Sequence, residues 1–366
     1  MEQLKVLLLE PFYGGSHKDF ALGWQSHSAH HVELLTLPDR FWKWRMRGAA
    51  LYFAKRVEIV DEWDVIVATD MMNVADFRTL AEVRDVPVLL YFHENQLTYP
   101  EGPGEKRAGQ FAYINLISAL SANRVLFNSR FHYDRFFQAA ESLILNVPDH
   151  PPYWIVQAVR DKAEVLYPGC RFPAADAHTL SPGGEPPLIV WNHRWEWDKQ
   201  PEFFFGVLRE IRDAGIPFRL ALVGESYERT PKAFVKAKED FSDHITVFGY
   251  VESRERYLDL LREGAVVIST AIQENFGISV VEAVRMGCFP LLPNRLSYPE
   301  IMPDRFHGQV IYSDRGDLVK KLKHVLLNPG AYGDSRDALS GEMGKFSWEN
   351  AAHLYDREIF HLHPRV

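Results

Sequence analysis

The chain has 366 residues, 46% of them hydrophobic and 25% charged, with a formal net charge of −8. That length suits two domains of ordinary size, and that composition excludes a disordered chain. A nucleic-acid partner would need a local basic patch to overcome the net negative charge. Cys170 and Cys288 are the only cysteines, so neither a disulfide framework nor a Cys-rich zinc site can be built. The first apolar run is too short for a signal peptide and no run is long enough to span a membrane. A soluble, cytoplasmic protein is the expectation.

In the first half, apolar runs at Val6–Leu9, Val32–Leu35, Trp63–Ala68, Val88–Phe92, Arg124–Phe127 and Val165–Gly169 read as strands alternating with helices. The first strand leads into Tyr13-Gly14-Gly15-Ser16-His17. The two glycines allow a tight strand-to-helix turn, and Ser16 is a candidate helix cap. Such a turn suits an anionic or polyhydroxyl ligand, and equally suits an ordinary α/β connection. It is not a complete dinucleotide fingerprint.

Residues 40–48 alternate cations with aromatic rings: Arg40, Trp42, Lys43, Trp44, Arg45 and Arg47. Cations pair with phosphates while rings stack on bases. The same spacing also fits an amphipathic helix with core aromatics and a solvated basic face. The fourth strand ends in His93, Glu94, Asn95 and Gln96, a dense polar group where open α/β sheets place their ligands. The Gly-Pro-Gly of residues 102–104 suggests a mobile loop.

Composition changes over 170–187, with 173–187 read as a linker between a first domain, 1–172, and a second, 188–345. Strand–helix alternation restarts at Leu188–Asn192. It continues through Phe218–Val223, Ile245–Phe248, Ala265–Ser269, Phe289–Leu292 and Val310–Tyr312. Two successive units of this kind predict two Rossmann-like parallel-sheet domains with a ligand cleft between them. Arg194 and Lys199 follow the first strand of the second unit, before a helix starting near Pro201. A cationic pair there can neutralise a leaving diphosphate. Glu274 follows the Ala265–Ser269 strand, and Glu282 lies on the next helix, with Ser279 near its N-cap. A helix N-terminus suits phosphate, and carboxylates beside it suit sugar hydroxyls. The combination describes a nucleotide-sugar site. No Asp-x-Asp clamp or Cys-x-x-Cys pair is present in the sequence, so no metal site is expected.

Glu274 and Glu282 resemble the Glu-x7-Glu signature of retaining glycosyltransferases of the GT-B fold. Arg194 and Lys199 resemble the Arg-x4-Lys element of the same enzymes. The resemblance implies that Glu274 contacts the transferred sugar, that Glu282 contacts the ribose, and that Asn275, Phe276, Gly277 and Ile278 lie along the diphosphate. It places Gly224, Tyr250 and Val251 in the donor site and sends a terminal helix, 346–366, back to the first domain.

Leu9-Glu-Pro-Phe-Tyr-Gly-Gly-Ser-His17, Trp42-Lys-Trp-Arg45, Thr69-Asp70-Met71 and Tyr91-Phe-His-Glu-Asn-Gln-Leu-Thr-Tyr-Pro100 are together similar to the tRNA-queuosine α-mannosyltransferase family. That similarity implies GDP-mannose as donor and the cyclopentenediol of queuosine in tRNA-Asp as acceptor. His93, with Arg194, Lys199 and Glu274, forms the expected catalytic set; Tyr13–His17 and His93–Gln96 line the acceptor side. Loss of Lys199 is expected to affect turnover far more than folding. A lipid or glycan acceptor, with residues 41–47 on a membrane, is the alternative; a non-catalytic nucleotide-sugar or RNA binder is a third reading.

Overall fold

The computed structural model describes residues 3–57, 60–100, 109–173, 186–225 and 230–363. The Gly-Pro-Gly of 102–104 and most of the expected linker lie outside the described residues. The chain divides into two compact units: Met1–Arg171 with Phe346–Val366, and Phe172–Lys345.

Unit one holds β1 (Lys5–Tyr13), β2 (His31–Pro38), β3 (Val65–Thr69), β4 (Val88–Phe92), β5 (Arg124–Phe127) and β6 (Ala163–Val165). They form a parallel sheet in the order β2-β1-β3-β4-β5-β6. Side chains alternate between its faces, as strand geometry requires. Leu7, Leu9, Ile66, Ala68, Leu90 and Phe92 enter one core. Val6, Leu8, Val65, Val67, Leu89 and Tyr91 enter the other. With both faces covered, the strands carry nearly unbroken apolar runs.

The second core is closed by the C-terminal helix, Trp348–Leu362, which brings Trp348, Tyr355 and Ile359 against Phe20 and Trp24. Ser347 caps it by accepting from the Asn350 N–H. The expected strand at Val165–Gly169 lies earlier, at Ala163–Val165. Leu166 N still donates to Phe127 O at 2.9 Å, but Pro168 has no N–H to extend the ladder.

Unit two holds β7 (Leu188–Trp191), β8 (Arg219–Val223), β9 (Ile245–Gly249), β10 (Gly264–Ile268), β11 (Phe289–Pro293) and β12 (Ile311–Tyr312). Their order is β12-β11-β10-β7-β8-β9, again parallel. Pro201 occupies the first turn of the helix Pro201–Asp213, where its missing N–H costs nothing. Phe204, Phe205, Val207, Leu208 and Ile211 recur at helical spacing along it and are all buried.

Each sheet reverses its winding once, between β1 and β3 in unit one and between β7 and β10 in unit two. Open α/β sheets bind ligands at the carboxyl ends of the strands flanking such a reversal.

Candidate active site

In unit two the loops after β7 and β10 are joined through Lys199. Its ammonium donates to Gln273 O at 2.6 Å, and lies 3.2 Å from Asp198 Oδ2 and 3.4 Å from Glu274 Oε2. Thr270 Oγ1 donates to Lys199 O at 2.6 Å, and Ile272 N donates to Asp198 O at 2.8 Å. Lys199 is 5% exposed. Burial opposes its charge, but Glu274 and Asp198 outweigh burial and raise its pKa. Burial likewise opposes the Glu274 carboxylate, while Lys199, His193 and Arg194 hold its pKa below the usual value. The pair is therefore ionised across the neutral range. Arg194 is less enclosed and lies 3.5 Å from Glu196.

The helix Ile278–Arg285 starts beside this cluster. Its N-cap is Gly277, not Ser279, because the chain turns there through φ 101°, a conformation that Ser would adopt only with strain. No side chain caps this helix, so its first N–H groups suit an anion. Asn275 and Phe276 are buried; the Phe276 carbonyl accepts from Ser297 Oγ at 2.7 Å.

Glu282 sits on the same helix, 6% exposed, and pairs with Arg254; Tyr257 donates to it at 3.4 Å. A ribose contact at Glu282 would have to share the carboxylate with Arg254. Gly224 ends β8 where a Cβ would come within 1.9 Å of His193 O, so glycine is needed for strand packing whatever the ligand. Tyr250 follows β9 and is 67% exposed, with Val251 beside it half-buried.

In unit one the ends of β1, β3 and β4 bring Glu10, His17, Asp70 and His93 together. Glu10 is fully buried; its Oε1 accepts from Phe12 N at 2.8 Å and lies 3.2 Å from His17 Nδ1. His93 Nε2 lies 3.9 Å from Glu10 Oε2, and the His17 and His93 rings are 4.0 Å apart. Asp70 Oδ1 accepts from the His93 and Glu94 N–H groups at 2.8 and 3.4 Å. Burial disfavours charge on His17, but Glu10 raises its pKa to about 9. Burial, the charge on His17 and His132 push the His93 pKa well down, leaving a neutral ring. Burial lifts Asp70 to about 8.

Of the other expected acceptor residues, Tyr13 and Gly14 are half-buried, and Gly15 and Ser16 are exposed. Ser16 lies inside the first helix, Gly15–His27, and does not cap it. Glu94 and Gln96 bond to each other at 3.3 Å. Asn95 turns inward: its Oδ1 accepts from Leu97 N and Thr98 N, and its Nδ2 donates to His132 Nε2 at 2.8 Å. Fully buried, it shapes the loop.

The basic-aromatic run is the helix Trp42–Ala54. Arg40, Lys43, Trp44 and Arg47 are exposed, Trp44 by 59%, and Phe41 joins them at 70%. Arg45 is the exception. It is buried, and its Nε and Nη2 donate to Pro38 O at 3.3 and 3.1 Å. Trp42 is half-buried, with its ring 5.3 Å from Phe111.

Sequence reasoning missed Glu10, Asp198 and Arg254 as site residues. Glu10 had a readable signal: it is an acidic residue at the end of an apolar run that becomes fully buried. Arg254 had none, since its pairing with Glu282 spans 28 residues.

Two parallel Rossmann-like units with a cation, two carboxylates and an uncapped helix N-terminus at the second switch point define a glycosyltransferase of the GT-B fold. Solved structures agree on the fold. A sucrose-phosphate synthase from Thermosynechococcus elongatus superposes with a TM-score of 0.71 at 14% identity, covering 98% of this chain and 99% of that one. A glycosyltransferase from Rickettsia africae gives 0.67 at 14% identity, covering 100% of both chains. Residues 177–342 match the glycosyl transferases group 1 family, and residues 5–170 match the tRNA-queuosine alpha-mannosyltransferase N-terminal family. The tRNA-queuosine alpha-mannosyltransferase of Drosophila melanogaster is 33% identical over 343 residues, which is 91% of this chain and 89% of that protein. The chain belongs to the tRNA-queuosine alpha-mannosyltransferase family.

Proposed function

We propose that this protein transfers mannose from GDP-mannose, with retention of anomeric configuration, to the cyclopentenediol of queuosine in the anticodon of tRNA-Asp. The observation that carries the transferase reading is Lys199, a buried ammonium between Asp198 and Glu274, beside the N-terminus of the helix Ile278–Arg285. Lys199 and Arg194 meet the charge of the departing diphosphate, replacing a metal at that position. The first N–H groups of the helix hold the diphosphate from the other side. Glu274 accepts from the sugar hydroxyls, Glu282 shares its carboxylate between Arg254 and the ribose, and Tyr250 offers an exposed ring to the nucleobase. His93, a neutral imidazole, takes or holds the proton of the acceptor hydroxyl. The acceptor identity rests on family membership, supported by the exposed cations and rings of the helix Trp42–Ala54. Splayed anticodon bases stack on such rings.

The test is incubation with GDP-mannose and queuosine-containing tRNA, without added Mg2+ or Mn2+, followed by mass spectrometry of the nucleosides. Queuosine heavier by one hexose is the expected product. Donor hydrolysis with no modified nucleoside would retain the donor site and discard the tRNA acceptor.

A further inference from the structure

The Glu10–His17–His93 group has a second chemistry, an alternative at His93 Nε2 to holding the acceptor proton. Among the described residues it is the one group of three or more His, Cys, Asp or Glu side chains whose donor atoms converge enough to share an ion. Those atoms all lie within 4.8 Å of one another. Glu10 Oε2, in a fully buried carboxylate, has no hydrogen-bond partner in the protein. A buried carboxylate oxygen left in that state costs free energy unless something meets it.

The spacing suits a small ion. A tetrahedral zinc ion with bonds of about 2.0–2.1 Å sets its ligand atoms roughly 3.3 Å apart. Glu10 Oε1 and His17 Nδ1 are 3.2 Å apart, and Glu10 Oε2 and His93 Nε2 are 3.9 Å apart. The remaining pair, within 4.8 Å, would draw in by about 1.5 Å at most to complete the set. Two imidazoles with one carboxylate favour zinc and its neighbours over magnesium or calcium, which take oxygen ligands.

The ligands are also held from behind. Phe12 N fixes Glu10 Oε1. Asp70 accepts from the backbone N–H of His93, and Asn128 Nδ2 donates to its carbonyl at 2.8 Å. Such outer contacts orient metal ligands before the ion arrives.

We propose that Glu10, His17 and His93 bind one divalent transition-metal ion, zinc by ligand chemistry, at the switch point of the first sheet. Three protein ligands leave a fourth position for water or a hydroxyl oxygen. The ion replaces the proton between His17 and Glu10 and ties the ends of β1 and β4 to the first helix. Its three ligands all belong to unit one. Ion binding needs neither donor nor acceptor, so it can fail while the transferase reading stands.

The test uses the full chain without a polyhistidine tag, loaded with excess ZnCl2, desalted, and read by elemental mass spectrometry. One zinc per chain is expected. Glu10→Gln and His93→Ala should each retain under a tenth of that, and His150→Ala, at an exposed residue, should retain all of it. X-ray absorption on the wild-type protein reads the ligands even if the variants fail to fold; two imidazoles and no sulfur are expected. Folded wild type that retains no zinc, a sulfur-ligated ion, or full retention by folded Glu10→Gln and His93→Ala would overturn the site and leave a plain His17–Glu10 ion pair.

Discussion

Lys199 holds an ion-pair cluster and is the cation of the proposed donor site, and a single substitution cannot separate the two. With Asp198 fully buried and Glu274 mostly so, Lys199→Met would leave two carboxylates facing each other without a cation. Removing one partner of a buried ion pair costs about 3–5 kcal/mol, and the lower end applies because the Glu274 side chain is 22% exposed. Loss of Lys199 is therefore expected to lower stability as well as turnover, contrary to the expectation from sequence alone. Pairing Lys199→Met with Asp198→Asn should restore most of the urea midpoint and none of the initial rate. A double variant that regains turnover would remove Lys199 from the chemistry. The cysteines give a second residue-scale prediction. Both thiols are buried, and burial pushes Cys288 up to about 12. Neither should react with a thiol reagent until the chain is unfolded. The contact between Lys199 and Glu274 was legible by spacing, because both residues follow strands of one sheet. Asp198 was not, because only the fold shows that its side chain points at the ammonium and away from water.

Among the elements, the loop after β4 depends on His132 of the helix Arg130–Leu145. The Asn95 amide donates to Nε2, so Nδ1 carries the proton and donates to Asn128 Oδ1 at 2.7 Å. Burial lowers the His132 pKa from 6.5 to about 3. The unfolded chain thus binds a proton that the folded chain refuses between those values. His132 stabilises the fold fully above pH 6.5, and that contribution falls as pH drops toward 3, by up to about 1.4 kcal/mol per pH unit. The stability gap between wild type and His132→Gln should shrink on acidification from pH 7 to 4.5; a constant gap in chemical denaturation would refute the neutral ring. The helix Trp42–Ala54 poses the opposite case, since its sequence pattern fitted both a core helix and an RNA-facing one. The structure divides it by residue: Arg45 and Met46 are buried, while Lys43, Trp44 and Arg47 are exposed. Trp44→Ala should weaken tRNA binding by about 1–3 kcal/mol, as loss of one stacked base does. Arg47→Ala should reduce the salt dependence by about one phosphate contact. Arg45→Ala should lower thermal stability and leave tRNA affinity nearly unchanged. Equal losses of affinity from Arg45→Ala and Trp44→Ala would refute this division.

For the whole molecule, the chain leaves unit one at Arg171 and returns at Phe346. Alternating strands and helices made the two sheets readable, but local periodicity could not reveal how closely residues 346–363 belong to the second core of unit one. Trp348, Tyr355 and Ile359 are buried in it. Asp356 accepts from Trp24 Nε1 at 3.2 Å, Ser28 Oγ at 2.6 Å and Ala29 N at 2.7 Å. Tyr355 donates to Tyr167 O at 2.9 Å, and Cys170 N donates to Phe346 O at 2.7 Å. Each large apolar side chain contributes about 1.5–3 kcal/mol on burial, and domains are stable by only about 5–15 kcal/mol. Unit one without this helix should therefore be at or below its folding threshold. A fragment of residues 1–171 is expected to lack a cooperative thermal transition, and adding a peptide of residues 346–366 should restore one. Trp348→Ala in that peptide should abolish the rescue, because Trp348 closes the cluster around Phe20 and Tyr355. If residues 1–171 melted cooperatively alone, with no gain from the peptide, the helix would be an appendage and not part of the unit's core.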